Sequence, residues 1–333
     1  MKLATIGSGF IVDNMFDSIK DVEDIEPVAV YSRTMDKARA FADKHAVKKA
    51  YDSLEAMFAD PEIDTVYIAS PNSLHYPQAK QALEAGKNVI LEKPFTPTRK
   101  EAEELFKLAE DNGLFIFEAI TNIHTPNYGL LRDNLGMAGA IREGVLNFSQ
   151  YSSRYKKYMD HEVSNVFDPK MDGGALMDIN IYNIHLALAL FGKPESIAYF
   201  PVIGWNGIDT SGVLMLCYPG MNITCIGSKD SSADYMATLE GELGTFNIYN
   251  GSTGRLDTID FVPPQRENEK GEPIRISIDQ GPHMTYEFMD FSTALNEKDR
   301  DVYEKCKQQT LMAEDILEEA KAQRDALAAK AAA

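Results

Sequence analysis

Short apolar runs rich in β-branched residues alternate with amphipathic segments over the first 120 residues. This rhythm predicts parallel strands joined by helical crossovers, because hairpins cannot connect parallel neighbours. The predicted strands are 3–7, 27–32, 65–70, 88–93 and 114–119, and the predicted helices are 10–20, 36–45, 53–58, 74–85 and 99–112. We therefore expect an α/β domain with a parallel sheet over residues 1–120.

After residue 120 the pattern changes to strands spaced as hairpins. Connectors such as Tyr218-Pro219-Gly220 predict a large, mostly antiparallel open sheet in an α+β domain over residues 121–333. A sheet with helices on one face leaves the other face apolar, which predicts a homodimer through this sheet. The predicted strands are 140–152, 197–203, 213–218, 222–228, 235–240, 245–249, 257–262 and 274–278, and the predicted helices are 127–134, 174–190, 283–296 and 300–329.

The charge balance limits the possible partners. The chain has 51 acidic and 33 basic residues, a formal net charge of −18, which argues against nucleic acid and anionic membrane surfaces. Three scattered cysteines and the lack of a long apolar run predict a cytoplasmic protein. No spacing of His, Asp or Glu indicates a metal site, so a small-molecule substrate is expected.

A glycine turn joins the first strand to the first helix. Gly7-Ser8-Gly9, with Phe10 and Ile11 behind it, places glycines where the backbone can approach a pyrophosphate at a helix N-terminus. Val12 replaces the third glycine of the usual pattern, and a plain turn is the alternative interpretation. The position of the turn in a βαβ unit favours a dinucleotide-binding Rossmann domain.

The end of the second strand bears on the choice of cofactor. NAD-binding proteins usually place an acidic residue there, and residues 30–34 contain none. Ser32 and Arg33 instead offer donors for a 2′-phosphate, although both could be ordinary surface residues. We therefore predict NADP, with NAD possible.

Three further segments carry a resemblance to a known family. They are 70–75 (Ser-Pro-Asn-Ser-Leu-His), 92–94 (Glu-Lys-Pro) and 173–182, which contains Asp178 and Tyr182. Together with the glycine turn they resemble the Gfo/Idh/MocA oxidoreductases. Tyrosine at position 182, where many members have histidine, is similar to the branch of dimeric dihydrodiol dehydrogenase and glucose-fructose oxidoreductase.

The resemblance implies a role for each matching residue. Lys93 would orient the nicotinamide and the substrate oxygen, Tyr182 would be the acid/base, and Asp178 would support them. A cis Lys93-Pro94 bond is also implied. The residues implied to line the cofactor cleft are Ser70, Asn72, His75 and Glu92.

These residues suit the chemistry independently of the family. Hydride transfer to a carbonyl builds negative charge on oxygen, so the site needs a proton donor and a nearby cation. An ammonium such as Lys93 would favour the phenolate of a tyrosine, and residues four apart, such as Asp178 and Tyr182, lie on one helix face. The structural alternative is a solvated Asp178 and a half-buried core Tyr182.

Four residues are candidates for contact with the substrate. His185 extends the Asp178 stripe, although a packing role is the alternative. Asn122 and His124 stand where the tyrosine branch commonly has an aromatic residue and an arginine. Arg154 lies in a cationic segment that could equally be a solvated strand end. Asn180 stands where the family often has glycine, which predicts slightly different helix packing.

The sequence thus predicts an NADP-dependent oxidoreductase acting on a hydroxyl or carbonyl carbon of a sugar, polyol or diol-like substrate. The alternative function is an NADP-binding regulator or sensor without turnover. Retention of Lys93, Asp178 and Tyr182 together favours the enzyme, because a sensor needs no acid/base.

Overall fold

A computed structural model describes residues 1–234, 237–249, 252–264 and 271–332, which form two compact units. The first unit comprises Met1–Ile120 and Pro282–Glu314, and the second comprises Thr121–Gly281 and Asp315–Ala333. The sequence-based division at residue 120 placed everything after it in the second domain. In the structure, 282–314 instead pack on the first unit.

The first unit contains a six-stranded parallel sheet, as the strand-helix alternation predicts. The strand order is β3-β2-β1-β4-β5-β6. The three-residue strand β3 was not predicted, because so short a run carries no periodicity. The strands are β1 Lys2–Ile6, β2 Glu26–Tyr31, β3 Lys49–Tyr51, β4 Thr65–Ile68, β5 Asn88–Glu92 and β6 Ile116–Ala119, and the helices are α1 Phe10–Ile19, α2 Met35–Lys44, α3 Leu54–Phe58, α4 His75–Glu84 and α5 Arg99–Asp111.

The order of the sheet determines where the candidate residues lie. Strands β1 and β4 are adjacent, and the connections leave them toward opposite edges of the sheet. Ligands of open α/β sheets bind at the carboxyl ends of the strands at such a switch point. The turns after β1, β4 and β5 carry Gly7, Ser70 and Lys93 to this end.

Aromatic packing explains why residues 282–314 belong to the first unit. Helix α9, His283–Glu297, inserts Phe288 and Phe291 into the core. Phe291 stacks on Phe117 with ring centroids 4.7 Å apart, and Phe288 meets Tyr67 edge-on at 5.3 Å. The local sequence predicts that α9 is a helix but not which domain it packs against, because an amphipathic pattern does not identify the surface that the helix contacts.

The second unit contains an eight-stranded mixed sheet. Its order is β14-β13-β12-β11-β7-β10-β9-β8, and every pair is antiparallel except β7 with β10. The strands are β7 Ile141–Ser149, β8 Ser196–Ile203, β9 Asp209–Tyr218, β10 Met221–Ser228, β11 Ala237–Gly241, β12 Gly244–Tyr249, β13 Thr258–Val262 and β14 Ile274–Arg275. The mostly antiparallel sheet is confirmed; residues 235–236 of the predicted strand 235–240 lie outside the described residues.

Helices flank this sheet. They are α6 Pro126–Asn134, α7 Tyr155–Met159, α8 Ile181–Phe191 and α10 Arg300–Ala332, whose residues from Asp315 onward belong to this unit. Helix α7 was not predicted. One helical stretch, Pro169–Phe191, is long and apolar enough to cross a membrane by length and composition, but 72% of its most apolar window is buried inside the fold.

A π-helical turn, Leu176–Asn180, precedes α8, and together they form what we call the central helix. The sequence predicts one regular helix over 174–190, so the π-turn is a departure from that prediction. Asn180 lies in this turn, and a Cβ atom at Gly227 of β10 would come within 2.7 Å of the Asn180 Cβ. The strand glycine therefore makes room for asparagine at the position where the family often has glycine.

Candidate active site

The first glycine of the turn after β1 is required by its backbone. Gly7 has φ of +126°, and an added Cβ would lie 2.8 Å from the Ala69 carbonyl oxygen. Its N–H donates to the Tyr31 carbonyl at 3.3 Å. Val12, in place of the third glycine, is buried and packs below the turn. The turn is thus pressed against the neighbouring strand as a dinucleotide-binding turn must be.

The second glycine faces open space. Gly9 is the N-cap of α1, and a Cβ built there has no atom within 4 Å. The first N–H groups of any helix lack intrahelical acceptors and, with the helix dipole, favour an anion. Phe10 is exposed and Ile11 is half-buried at this end. These features suit a pyrophosphate.

The polar residues after β2 lie close to the glycine turn. The Ser32 hydroxyl is 3.3 Å from that of Ser8, and the Ser32 N–H donates to the Tyr51 carbonyl. Ser32 is buried, whereas Arg33 is exposed. Arg33 therefore has the freedom that a phosphate-binding side chain needs, and Ser32 fixes the backbone beside it.

His75 ties two turns together from within the protein. Its ring is fully buried, with Nδ1 2.8 Å from the Pro94 carbonyl and Nε2 3.0 Å from the Ser70 carbonyl. Burial lowers the pKa of His75. The side chain thus connects the turns after β4 and β5. Ser70 donates to Gln78 at 2.7 Å, and Asn72 is half-buried.

The turn after β5 begins with a buried carboxyl. Glu92 accepts a hydrogen bond from the Tyr67 hydroxyl, and burial raises its pKa. Lys93 is half-buried, and the Lys93-Pro94 peptide is cis, as the resemblance implies.

A second buried carboxyl of the first unit comes from α9. Glu287 is 0% exposed, and neither carboxylate oxygen has a hydrogen-bond partner among the described residues. Burial raises its pKa well above the usual range, and the charges of Glu92 and Asp290 add to this effect. Burial of an unpaired carboxylate is costly inside a protein, so the fold favours the protonated form of Glu287.

In the second unit, exposure singles out two residues of the central helix. From Gly173 to Leu188, a stretch described throughout, every residue is buried except Asp178 and Tyr182. The Tyr182 ring packs on Phe148 of β7, with centroids 5.4 Å apart. A Cβ at Gly254 would lie 3.4 Å from the Tyr182 ring, at ordinary van der Waals distance.

Asp178 pairs with a lysine that the sequence analysis did not select. Lys229 Nζ lies 2.6 Å from Asp178 Oδ2 and donates to the Val166 carbonyl at 2.9 Å. The ammonium also lies 4.6 Å from the centre of the Phe167 ring. Lys229 directly follows β10 and lies 51 residues from Asp178, so no local signal in the sequence reveals the pair.

A second ion pair anchors the start of the central helix. Asp209, fully buried on β9, accepts from the Leu176 N–H at 2.7 Å and from the Tyr199 hydroxyl at 2.9 Å. The Nη1 atom of Arg324, on α10, lies 3.1 Å from Asp209 Oδ1 and forms the ion pair. A Cβ at Gly174 would come within 2.4 Å of the Asp209 carboxylate, so glycine lets this carboxylate approach the helix.

Buried amides hold the middle of the central helix. Asn122 Nδ2 donates to the carbonyls of Tyr182 and Thr253, at 2.9 and 3.0 Å. Asn183 donates to Asn180 Oδ1 and to the Ile226 carbonyl, and accepts from the Thr253 hydroxyl. This network fixes the helix backbone at Tyr182 without using the tyrosine side chain.

The candidate substrate residues lie in different settings. Asn122 and His185 are fully buried, which favours the packing alternative for His185; substrate contact stays a prediction for both. The amide of Asn122 binds backbone. His124 is half-buried and Arg154 is exposed at the N-cap of α7. No cluster of three or more potential metal ligands occurs among the described residues.

Two parts of the chain match family profiles. Residues 1–119 match an oxidoreductase family with an NAD-binding Rossmann fold, GFO_IDH_MocA, and residues 135–257 match the GFO/IDH/MocA C-terminal domain.

Similar proteins extend the likeness over the whole chain. A Bacillus subtilis protein named scyllo-inositol 2-dehydrogenase (NADP(+)) IolU is 36% identical over 97% of each chain. Trans-1,2-dihydrobenzene-1,2-diol dehydrogenase of Macaca fascicularis is 30% identical over 78% of this chain and 77% of its own.

Solved structures show the same fold. The 3-ketoreductase KijD10 of Actinomadura kijaniata, solved with NADP and TDP-benzene, has a TM-score of 0.83 at 20% identity over 97% of each chain. Levoglucosan dehydrogenase, solved with NADH and levoglucosan, has a TM-score of 0.78 at 20% identity over 97% of each chain.

Proposed function

Because the chain belongs to the Gfo/Idh/MocA oxidoreductase family, we propose that it is an NADP-dependent dehydrogenase of a ring hydroxyl in a cyclic polyol. The IolU relative, at 36% identity over nearly the whole chain, supports an inositol as the first substrate to test. The dihydrodiol dehydrogenases support the same bond chemistry on a different ring.

The exposure pattern of the central helix is the observation that carries this proposal. If Tyr182 were only a packing residue, the fold would have no need of an acidic residue on the same face of an otherwise buried helix. Asp178 and Tyr182 reach the surface together, and only they do so between Gly173 and Leu188. An anchored carboxylate beside a phenol suits proton transfer to or from a substrate oxygen.

The residues of the first unit fit a dinucleotide. Gly7 brings the backbone against the sheet, Gly9 leaves the helix end open, and Arg33 is exposed for a 2′-phosphate. NADP bound there would supply the hydride acceptor or donor. These residues would hold its phosphates through backbone N–H groups and one guanidinium.

The protein groups act on the proton. In oxidation, the Tyr182 phenolate takes the hydroxyl proton as the hydride leaves the same carbon, which becomes a carbonyl. In reduction, the phenol returns that proton to the developing alkoxide. A tyrosine of ordinary pKa near 10 needs a nearby cation to act as a base at neutral pH, and Lys93 is the residue to which the family resemblance gives this role. Asp178 maintains the position of the tyrosine.

The large sheet supports the proposal of a homodimer. On β8, Phe200 and Val202 expose 60% and 56% of their surface. On β9, Val213 and Met215 alternate with buried neighbours and are half-exposed. Self-association through this face in the cytoplasm would cover them, and sedimentation velocity measures it.

Substitution of the acid/base tests the proposed function. With scyllo-inositol and NADP+ as substrates, Tyr182→Phe should lower kcat by about 10² to 10⁴-fold, because the proton acceptor is lost. NADPH binding, measured by fluorescence, should remain. A Tyr182→Phe enzyme with unchanged turnover would contradict the assignment.

Tyr128→Phe is the matched control. The Tyr128 hydroxyl on α6 donates to the Ala189 carbonyl, so its loss should leave turnover near the wild-type rate. Should wild-type protein bind NADPH tightly yet oxidise none of a panel of inositols, aldoses and diols, the sensor function would replace the enzyme.

A further inference from the structure

Lys229 has a setting that surface lysines do not share. Its side chain is 1% exposed, whereas its partner Asp178 is 32% exposed. The ammonium is bound from one side by Asp178 and from the other by the Val166 carbonyl, above the Phe167 ring. We propose that Lys229 is a positioning residue of the reaction: it fixes the Asp178 carboxylate and cancels its charge beside Tyr182.

The geometry explains why the ammonium is tolerated there. A buried lysine loses its hydration, and only a close counter-ion with hydrogen bonds to the remaining protons offsets that cost. Lys229 has both, in Asp178 and the Val166 carbonyl. The pair is therefore held as ions, and Asp178 cannot rotate away without leaving a buried charge.

The consequence for Tyr182 is electrostatic. A carboxylate four residues away on the same helix face disfavours the phenolate, because like charges repel. The adjacent ammonium of Lys229 removes most of this repulsion. Tyr182 therefore ionises beside a neutral pair rather than beside a free carboxylate.

Other charges near the central helix within this unit have their own partners. Asp230, next to Lys229, accepts from three hydroxyls. Further charged groups on elements near the helix include Asp209 paired with Arg324, Asp172 paired with Lys321, Arg142 of β7 paired with Glu242, and Arg255 paired with Asp257, while Glu143 of β7 is exposed to solvent.

The experiment measures the ionisation of Tyr182 directly. Protein labelled with ¹³Cζ-tyrosine is titrated by NMR, and the Tyr182 resonance is assigned by its absence from Tyr182→Phe. Lys229→Met should raise the pKa of Tyr182 by about one pH unit, because the Asp178 charge is no longer cancelled. The double variant Asp178→Asn with Lys229→Met should return the pKa to the wild-type value.

Two controls separate charge from damage to the fold. Lys193→Met breaks the exposed pair with Asp315 in the same unit and should leave the pKa of Tyr182 unchanged. Lys229→Gln retains a donor for the Val166 carbonyl and should raise the pKa of Tyr182 as Lys229→Met does. If the methionine variant does not fold, the glutamine variant replaces it in the experiment.

The inference is overturned if the pKa of Tyr182 does not move in Lys229→Gln, or if the double variant keeps the shift. It rests on the proposed function, but the two fail separately. Full turnover by Tyr182→Phe would contradict the proposed acid/base, but the pKa of Tyr182 could still be measured in the Lys229 and Asp178 variants. If Tyr182→Phe is inactive but the pKa of Tyr182 does not change in the Lys229 variants, only the role of Lys229 is contradicted.

Discussion

The candidate residues of the two units are held in place by different means. In the first unit, Gly7 and Gly9 are positioned by backbone contacts between neighbouring strands and a helix end. In the second, Asp178 and Tyr182 are positioned by side chains from distant parts of the chain. The turn proposed to bind the cofactor is thus shaped by backbone contacts, whereas the residues proposed to act on the substrate depend on specific side-chain partners.

Buried charge shows the same contrast. The second unit pairs its buried ions, Asp209 with Arg324 and Asp178 with Lys229. In the first unit, Glu287 has no hydrogen-bond partner among the described residues, and burial raises its pKa. Substitutions should therefore have opposite consequences in the two units.

The largest effect is expected at the buried pair of the second unit. Arg324→Met leaves the Asp209 carboxylate buried without its cation and should reduce the free energy of unfolding by about 3 to 5 kcal/mol. Urea denaturation followed by circular dichroism measures this loss. Lys193→Met, which breaks an exposed pair, should cost less than about 1 kcal/mol. Equal losses of unfolding free energy in Arg324→Met and Lys193→Met would show that the buried ion pair is no more important for stability than the exposed one.

An intermediate effect is expected at the glycine turn. Gly7→Ala forces a Cβ against the Ala69 carbonyl at positive φ and should reduce stability by about 1 to 3 kcal/mol. Gly9→Ala meets no protein atom, so its stability should stay near wild type while NADPH binding weakens. Thermal unfolding and fluorescence titration separate the two outcomes. A destabilised Gly9→Ala with normal NADPH affinity would contradict the arrangement.

The smallest effect is expected at Glu287 and depends on pH. The folded carboxyl keeps its proton to higher pH than the unfolded one, so wild-type stability should fall as pH rises above about 4.3. Glu287→Gln removes the titrating carboxyl and its repulsion with Glu92 and Asp290. Its stability relative to wild type should therefore grow from pH 5 to pH 8 in urea denaturation.

The control for Glu287 is Glu84→Gln, which changes an exposed carboxyl of the same unit and should keep the wild-type slope. Parallel pH curves for Glu287→Gln and wild type would mean that Glu287 is ionised in the fold.

Most of the architecture was predictable because it follows from local patterns. The strand-helix alternation before residue 120 predicts the parallel sheet, and the hairpin spacing after it predicts the open sheet. The membership of 282–314 in the first unit was not predictable, since Phe288 and Phe291 meet Tyr67 and Phe117 only in three dimensions.

The candidate site divides in the same way. Gly7, Lys93 and Tyr182 lie in short motifs that a reader can find in the sequence. Lys229 and Arg324 follow no motif, and their partners lie 51 and 115 residues away. The burial of Asn122 and His185 was not predictable, because a buried polar residue looks the same in sequence as a polar residue that lines a cleft.

The return of α9 to the first unit also affects how the chain is made. Translation delivers residues 1–120 well before 282–314, with the whole of 121–281 emerging between them. Until Phe288 and Phe291 emerge, the nascent first unit carries an open apolar slot beside Tyr67 and Phe117. The core of the first unit therefore cannot be completed before residues 282–314 are made, and we expect a polypeptide stopped near residue 280 to expose the apolar surface that these residues cover.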